Sequence, residues 1–383
     1  MGTMRGYGRM LPKILAGVAL IVCSLAVPAD AQARANLVKE LGLSDEEEQI
    51  PGNPWNYQQK FDSKMFFHGI EWTSAVFALP HGVCDINDGH KKLIDQVEVW
   101  GVAVKTTPRI FCGIYTYHKN HPTKVKAIKQ TWASRCDGFV AFSDEVDLSV
   151  PSFKIKHEGK EEWDNMWQKS RAIWKYINFH YKDDFDWFVL GGDDIFLIVE
   201  NLRKYLLSDE IKTAAGGLEK GGMYPMYLGR RFRPGGNNER IFNSGGAAYV
   251  LNQASLEILA SHLDDAACEA HRRCSWEDVQ VANCLRLHGV EAFDTRDASG
   301  RERFHPFTPQ HHLTYRIPEK PDWYIDYSID LKTGRECCSR DSISFHYVDD
   351  ALMHRLYHLV YSCPKAPTSL PQSHPKKDYS AVQ

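Results

Sequence analysis

An acidic pair, Asp193-Asp194, follows the apolar run Asp186-Trp187-Phe188-Val189-Leu190 and two glycines, Gly191 and Gly192. Adjacent carboxylates repel unless a cation or a basic group neutralises them. A hard divalent ion does this well, because it takes oxygen ligands from carboxylate and phosphate together. The glycines let a diphosphate approach the backbone closely. The plainer alternative is a solvated turn after a strand. Far downstream, Ser342-Ile343-Ser344-Phe345-His346-Tyr347-Val348 reads as a late strand bearing a histidine. A neutral imidazole is a good further ligand for manganese, whereas a histidine satisfied within a core is the ordinary alternative. Trp276-Glu277-Asp278-Val279 places two carboxylates at the start of an expected helix, 278–287. Acids there commonly cap a helix or meet its dipole. Their chemical alternative is a general base, which transfer of a sugar with inversion requires to take the acceptor hydroxyl proton.

Two further segments bear on the same chemistry. Asn243-Ser244-Gly245-Gly246-Ala247-Ala248-Tyr249 is a small-residue segment that suits either a loop closing over a sugar or a tight turn. Arg230-Arg231-Phe232-Arg233-Pro234 is a basic cluster that suits either phosphate oxygens or solvated surface.

Positioning these residues needs alternating strands and helices. Ile110 to Tyr115 is a short apolar run and reads as a buried strand. Residues 121–135 carry helical spacing, and Phe139 to Phe142 suits a second strand. Trp163, Met166, Trp167, Ser170, Ile173, Trp174, Ile177 and Tyr181 recur at three- and four-residue steps, as on one face of an amphipathic helix. The run 186–190 is a continuous buried strand, and a helix is expected over 253–262. This alternation predicts an α/β fold with a mainly parallel central sheet. Ligands of such sheets bind beyond the carboxyl ends of strands, where the acidic pair sits.

Length and composition set the frame. The chain has 383 residues, enough for one large catalytic domain and accessory segments. A net charge of −3 argues against a nucleic-acid binder. Arg5, Arg9 and Lys13 precede an apolar run from Ile14 to Val27, with small residues after it, so residues 1–33 read as a signal peptide or an uncleaved signal-anchor. Either address puts the remainder in a lumen: the Golgi lumen for a single-pass type II membrane protein, or outside the cell after cleavage. Residues 34–104 read as a stem, 105–363 as the catalytic domain, and the Pro-, Ser- and Lys-rich 364–383 as a disordered tail. Of the ten cysteines, Cys23 lies in the targeting run. An oxidising compartment makes disulfides the expectation for the others, and their odd number leaves at least one thiol free. The neighbours Cys337 and Cys338 are expected to bridge to two separate partners.

Taken in order, these pieces resemble one family. The set runs Thr131-Trp132-Ala133-Ser134-Arg135-Cys136, Asp186-Trp187-Phe188 with the acidic pair, and Val199-Glu200-Asn201-Leu202-Arg203. Gly229-Arg230-Arg231-Phe232-Arg233-Pro234, Ser244-Gly245-Gly246 and Glu277-Asp278-Val279 follow. Asp294-Thr295-Arg296-Asp297, His305-Pro306-Phe307, His311-His312-Leu313, Cys337-Cys338-Ser339 and Ser344-Phe345-His346-Tyr347-Val348 complete it. This ordered set, over roughly 109–362, is similar to the core-1 β1,3-galactosyltransferases (T-synthases) of the inverting β1,3-glycosyltransferase family. The resemblance implies a GT-A fold that binds a nucleotide-sugar. It implies UDP-galactose as donor, and N-acetylgalactosamine on Ser or Thr of a glycoprotein as acceptor. It implies Mn²⁺ on Asp194 and His346, with Asp193 beside them, and a donor site that includes Gly192, Gly245, Gly246 and Arg231. It implies Asp278 as the base, with Glu277 as runner-up, and a Cys112–Cys136 disulfide. A homodimer is a candidate assembly. One position departs from the family pattern: Gly192 stands where the first of three aspartates is usual, a carboxylate that helps hold donor sugar, ribose or a metal-bound water. That departure keeps two alternatives open, a non-catalytic chaperone-like relative and a transferase of the same family with another UDP-sugar or acceptor.

Overall fold

The structure, a computed structural model, describes residues 60, 61, 63, 83–100, 108–147 and 149–365. The expected targeting run, most of the expected stem and the expected tail beyond 365 lie outside the described residues. All described residues belong to one unit, Tyr57–Gln383. Among them, no helix is long and apolar enough to cross a membrane.

Apolar runs bounded by turn residues build the strands. β1 (Ile110–Tyr115), β2 (Gly138–Ser143) and β3 (Ser152–Lys154) come first, then β4 (Trp187–Gly192) and the two-residue β5 (Phe196–Leu197). β6 (Tyr227–Gly229), β7 (Arg231–Phe232), β8 (Phe242–Asn243) and β9 (Tyr249–Asn252) follow, then β10 (Phe304–His305) and β11 (Ser344–Phe345). Six of them form the main sheet, in the order β3-β2-β1-β4-β9-β6. The pairs β3–β2, β2–β1 and β1–β4 are parallel, as expected, whereas β9 runs antiparallel to both β4 and β6. β1, β2 and β4 are buried on both faces, which explains runs such as Trp187-Phe188-Val189-Leu190 without a polar alternation.

The principal helices, in chain order, are α1 (Gly89–Ile94), α2 (Lys126–Gln130), α3 (Met166–Tyr181), α4 (Gln253–His262), α5 (Glu277–Leu287) and α6 (Asp350–Tyr361). α3 packs on β1, α4 and α5, so it is covered on most sides rather than along one stripe. Two of its buried polar side chains are tied to neighbouring segments: Arg171 Nη2 lies 2.8 Å from Asp264 Oδ1, and Gln168 donates to the carbonyls of Ala270 and Arg272. Trp163, expected on the buried face, is 71% exposed. Asn165 donates to the carbonyls of Glu158 and Lys160, so the chain turns there and α3 begins only at Met166. The helix expected over 121–135 is broken in the same way. α2 stops at Gln130, Thr131 leaves helical geometry, and a 3₁₀ turn spans Ala133–Arg135. The strand expected around His346 shrinks to β11, which pairs with β10 and β5.

Residues 83–97, placed in the stem on sequence grounds, pack into the main core through Leu93, Ile94 and Val97. Cys84 is bonded to Cys363. Cys112 is bonded to Cys136 as the resemblance implies, and Cys268 to Cys284, while Cys274 is free and buried. Cys337 and Cys338 are bonded to each other, against the expectation of two separate partners. Both are buried, and every other cysteine in the domain is already paired except the distant Cys274, so the two sulfurs have only one another.

Candidate active site

β1 and β4 are neighbours in the sheet, and their carboxyl ends carry the site. The segment leaving β1 grips Asp193. Thr116 Oγ1 and Asn120 Nδ2 donate to Asp193 Oδ2 at 2.6 and 2.7 Å, and Lys124 Nζ lies 3.1 Å from Oδ1. Burial lowers the Lys124 ammonium, but Asp193 and Asp194 more than offset it and hold it above the usual lysine range. Asp193 is therefore satisfied by protein groups. Only Asp194 faces the histidine, with His346 Nε2 3.3 Å from its Oδ1. Burial would raise the Asp194 carboxyl, but His346 and then Lys124 hold it below its ordinary value, so it is ionised at neutral pH.

The donor set of this pair suits a divalent cation. His346 Nδ1 lies 3.2 Å from the Pro306 carbonyl. A proton on Nδ1 donated to that oxygen leaves the Nε2 lone pair directed at an ionised carboxylate, an arrangement a cation between them stabilises. Three-ligand groups of His, Cys, Asp or Glu occur elsewhere among the described residues, at His305–His312–Cys338, His262–Asp265–His288 and His118–Asp144–Glu145. Asp194 and His346 make a two-ligand set instead. That leaves coordination positions for phosphate oxygens, as in sites that bind metal and substrate together.

Ser244-Gly245-Gly246 threads between this pair and the acids of α5. A Cβ on Gly246 would fall on the His346 ring, and one on Gly245 would fall on Glu277 Oε1. Glycine is required at both positions by close approach, so these residues form a tight turn rather than a loose loop. The turn ends at Ala248, whose φ of 60° and ψ of 152° suit glycine far better than alanine. Gly245 N donates to Asp278 Oδ2 at 2.8 Å, and Val279 N donates to Asp278 Oδ1 at 2.9 Å. Asp278 is half-buried, and burial pushes its carboxyl up despite these donors.

Glu277 is only 4% exposed and ends a buried chain, in which Trp174 Nε1 donates to Tyr249 Oη and Tyr249 Oη donates to Glu277 Oε2. Burial, helped by the neighbouring Asp278 charge, pushes Glu277 up to about 8, so it is protonated at neutral pH. Folding then binds a proton that the unfolded chain, with its ordinary value of 4.5, has already released. This contribution to stability is full below pH 4.5 and is lost as pH rises towards about 8. Denaturation of Glu277→Gln at pH 5 and pH 8 should show a shallower loss of stability than wild type. Equal slopes would mean that Glu277 titrates normally.

The pair, the turn and both acids line one cavity of about 820 Å³. Lys169, almost fully buried in its wall, lies 2.5 Å from both the Thr116 carbonyl and Glu161 Oε1. Its rim carries exposed aromatics, Tyr117, Trp163, Trp276, Trp323 and Tyr347. The structure thus brings together Gly192, Asp193, Asp194, Gly245, Gly246, Glu277, Asp278 and His346. It does not bring Arg231 there. Arg231 Nη2 pairs with Asp294 Oδ2 at 2.5 Å, and Arg230 is buried against Glu302 and Ser328, so the basic cluster braces the fold. Sequence reasoning missed Thr116, Asn120, Lys124 and Lys169. The first three were open to the rule that site residues follow the ends of parallel strands, because they lie directly beyond β1.

Residues 105–310 match the Fringe-like family model. The chain belongs to the Fringe-like family. His346 falls beyond the matched stretch, and the fold returns it to the matched acids through β11. Among similar proteins is glycoprotein-N-acetylgalactosamine 3-beta-galactosyltransferase 1 of Xenopus laevis, 33% identical over 256 residues, 66% of this chain and 66% of that protein. Chondroitin sulfate synthase 3 of Mus musculus is 25% identical over 210 residues, 49% of this chain and 22% of that protein. Beta-1,3-glucosyltransferase of Mus musculus is 23% identical over 236 residues, 59% of this chain and 43% of that protein. This Fringe-like chain therefore spans just under two thirds of the Xenopus relative and less than half of the two mouse relatives. The family match and the Xenopus relative bear out the resemblance to the core-1 β1,3-galactosyltransferase branch.

Proposed function

We propose that this chain is an inverting, Mn²⁺-dependent transferase that moves galactose from UDP-galactose to the 3-hydroxyl of N-acetylgalactosamine on Ser or Thr of glycoproteins. One observation carries the reading: Asp194 and His346 lie in the same cavity as Asp278, separated from it only by the turn at Gly245 and Gly246. The sheet and the placement of the acids at the ends of β1 and β4 support a GT-A-type nucleotide-sugar fold. Asp194 and His346 would hold the metal. When bound, Mn²⁺ supplies positive charge that neutralises the departing diphosphate.

The chain's own groups do the rest. The base role calls for an ionised Asp278, and a carboxylate raised by burial is a stronger base. It takes the proton of the acceptor hydroxyl as that oxygen bonds to the anomeric carbon of the donor. The bond from that carbon to the UDP oxygen breaks on the opposite face, and UDP leaves with the electron pair. Glu277 keeps its proton and adds no second charge beside Asp278. The rim aromatics offer flat apolar faces to the acceptor sugar and its peptide. The four disulfides among the described residues support an oxidising compartment such as the Golgi lumen.

Turnover of UDP-galactose on a peptide bearing N-acetylgalactosamine, with and without Mn²⁺, tests the reading. Transfer that needs the metal is the expected result. No transfer with any UDP-sugar, and a melting temperature indifferent to metal and UDP, would leave the non-catalytic relative.

A further inference from the structure

Among the polar side chains lining the cavity that the reading above does not use is Tyr115. Tyr115 is the last residue of β1 and lies directly beside Gly192, the last residue of β4, in the parallel register. A Cβ on Gly192 would stand 3.3 Å from Tyr115 Cε2, 3.7 Å from its hydroxyl and 2.9 Å from Asp194 Oδ1. The phenol ring therefore borders the space that a side chain at 192 would enter, and an aspartate there would crowd the ring and displace the Asp194 carboxylate. An aromatic ring laid over a cross-strand glycine is a stable sheet pairing, so the glycine and the tyrosine form one unit.

We propose that Tyr115 reads the transferred sugar, its phenol O–H donating a hydrogen bond to a hydroxyl of the sugar carried by the nucleotide. The inference rests on the transferase reading, which puts that sugar between the diphosphate-holding pair and the base. Tyr115 lines the same cavity as both pairs, beside Gly192, and feels the charges of Glu277, Asp278, Asp194 and Asp193. Burial and then these carboxylates raise its phenol well above the ordinary range, so it is a proton donor at working pH. Among the described residues it has no hydrogen-bond partner of its own, although acceptors surround it. An unspent donor aimed into a polar cavity is how a site selects a ligand hydroxyl.

Titration calorimetry of wild type and Tyr115→Phe in Mn²⁺, with UDP and with UDP-galactose, tests this. The variant removes one oxygen and keeps the ring beside Gly192. UDP affinity should stay within about twofold, while UDP-galactose binding weakens about 5- to 10-fold, the worth of one neutral hydrogen bond. Unchanged UDP-galactose binding, or equal weakening of both ligands, would overturn the role of Tyr115. A wild type that binds neither ligand would remove the proposed function, and this inference with it.

Discussion

Asp278→Asn should bind UDP within about twofold of wild type and transfer sugar about 10²- to 10⁴-fold more slowly, the usual span for loss of a general base. The amide keeps the side chain's shape, and its oxygen can still accept from one of the two backbone donors, Gly245 N or Val279 N, that now serve separate carboxylate oxygens. What it cannot do is take a proton. Glu277 is a poor substitute, because it holds its own proton near neutrality and is tied to Tyr249. Single-turnover transfer with calorimetric UDP binding separates the two effects. A near-normal rate would move the base away from Asp278, and raising the pH towards 8 would then reveal whether Glu277 carries it.

Asp194→Ala and His346→Ala should each weaken Mn²⁺ and UDP binding together. Loss of an outer-shell partner costs roughly 10- to 100-fold in metal affinity. Loss of a direct ligand from a set of only two protein groups should exceed the upper end of that range, at roughly 100-fold or more. The coupling is the diagnostic part. If the cation bridges protein and diphosphate, UDP affinity measured with Mn²⁺ falls to the level measured in chelator, and neither variant responds further to metal. A variant that loses UDP binding but keeps its metal dependence would show that the side chain acts on the nucleotide by itself.

Sequence pattern revealed the strands better than the helices. Ile110–Tyr115 and Trp187–Gly192 are apolar on both faces because helices cover both sides of a parallel sheet, so their run length alone betrays them. The acids, the histidine and the paired glycines were legible as types with chemical uses. Their convergence was not, since Gly246 and His346 approach only because β11 brings residue 346 back over the turn. Contacts set by distant parts of the chain also hid the burial of Arg230, whereas a local turn at Asn165 exposes Trp163 and the Cys337–Cys338 bond joins immediate neighbours. Tyr115 read as the end of an apolar strand. Only its register opposite Gly192 gives it a second use.

The Cys84–Cys363 bond has a mechanical consequence. It joins residues 279 positions apart, with Cα atoms 5.6 Å apart, and so closes almost the whole described domain into one covalent ring, with residues 60, 61 and 63 packed on it from outside. Tension applied between the segment before Cys84 and the segment after Cys363 is borne by the sulfur–sulfur link once the contacts of residues 60, 61 and 63 with Asp184, Tyr176 and Phe139 give way. The intervening polypeptide, with β1, β4 and the whole cavity, is from then on a slack covalent ring that carries no load. A single proteolytic nick anywhere in that ring leaves both fragments attached, and only a reductant releases them.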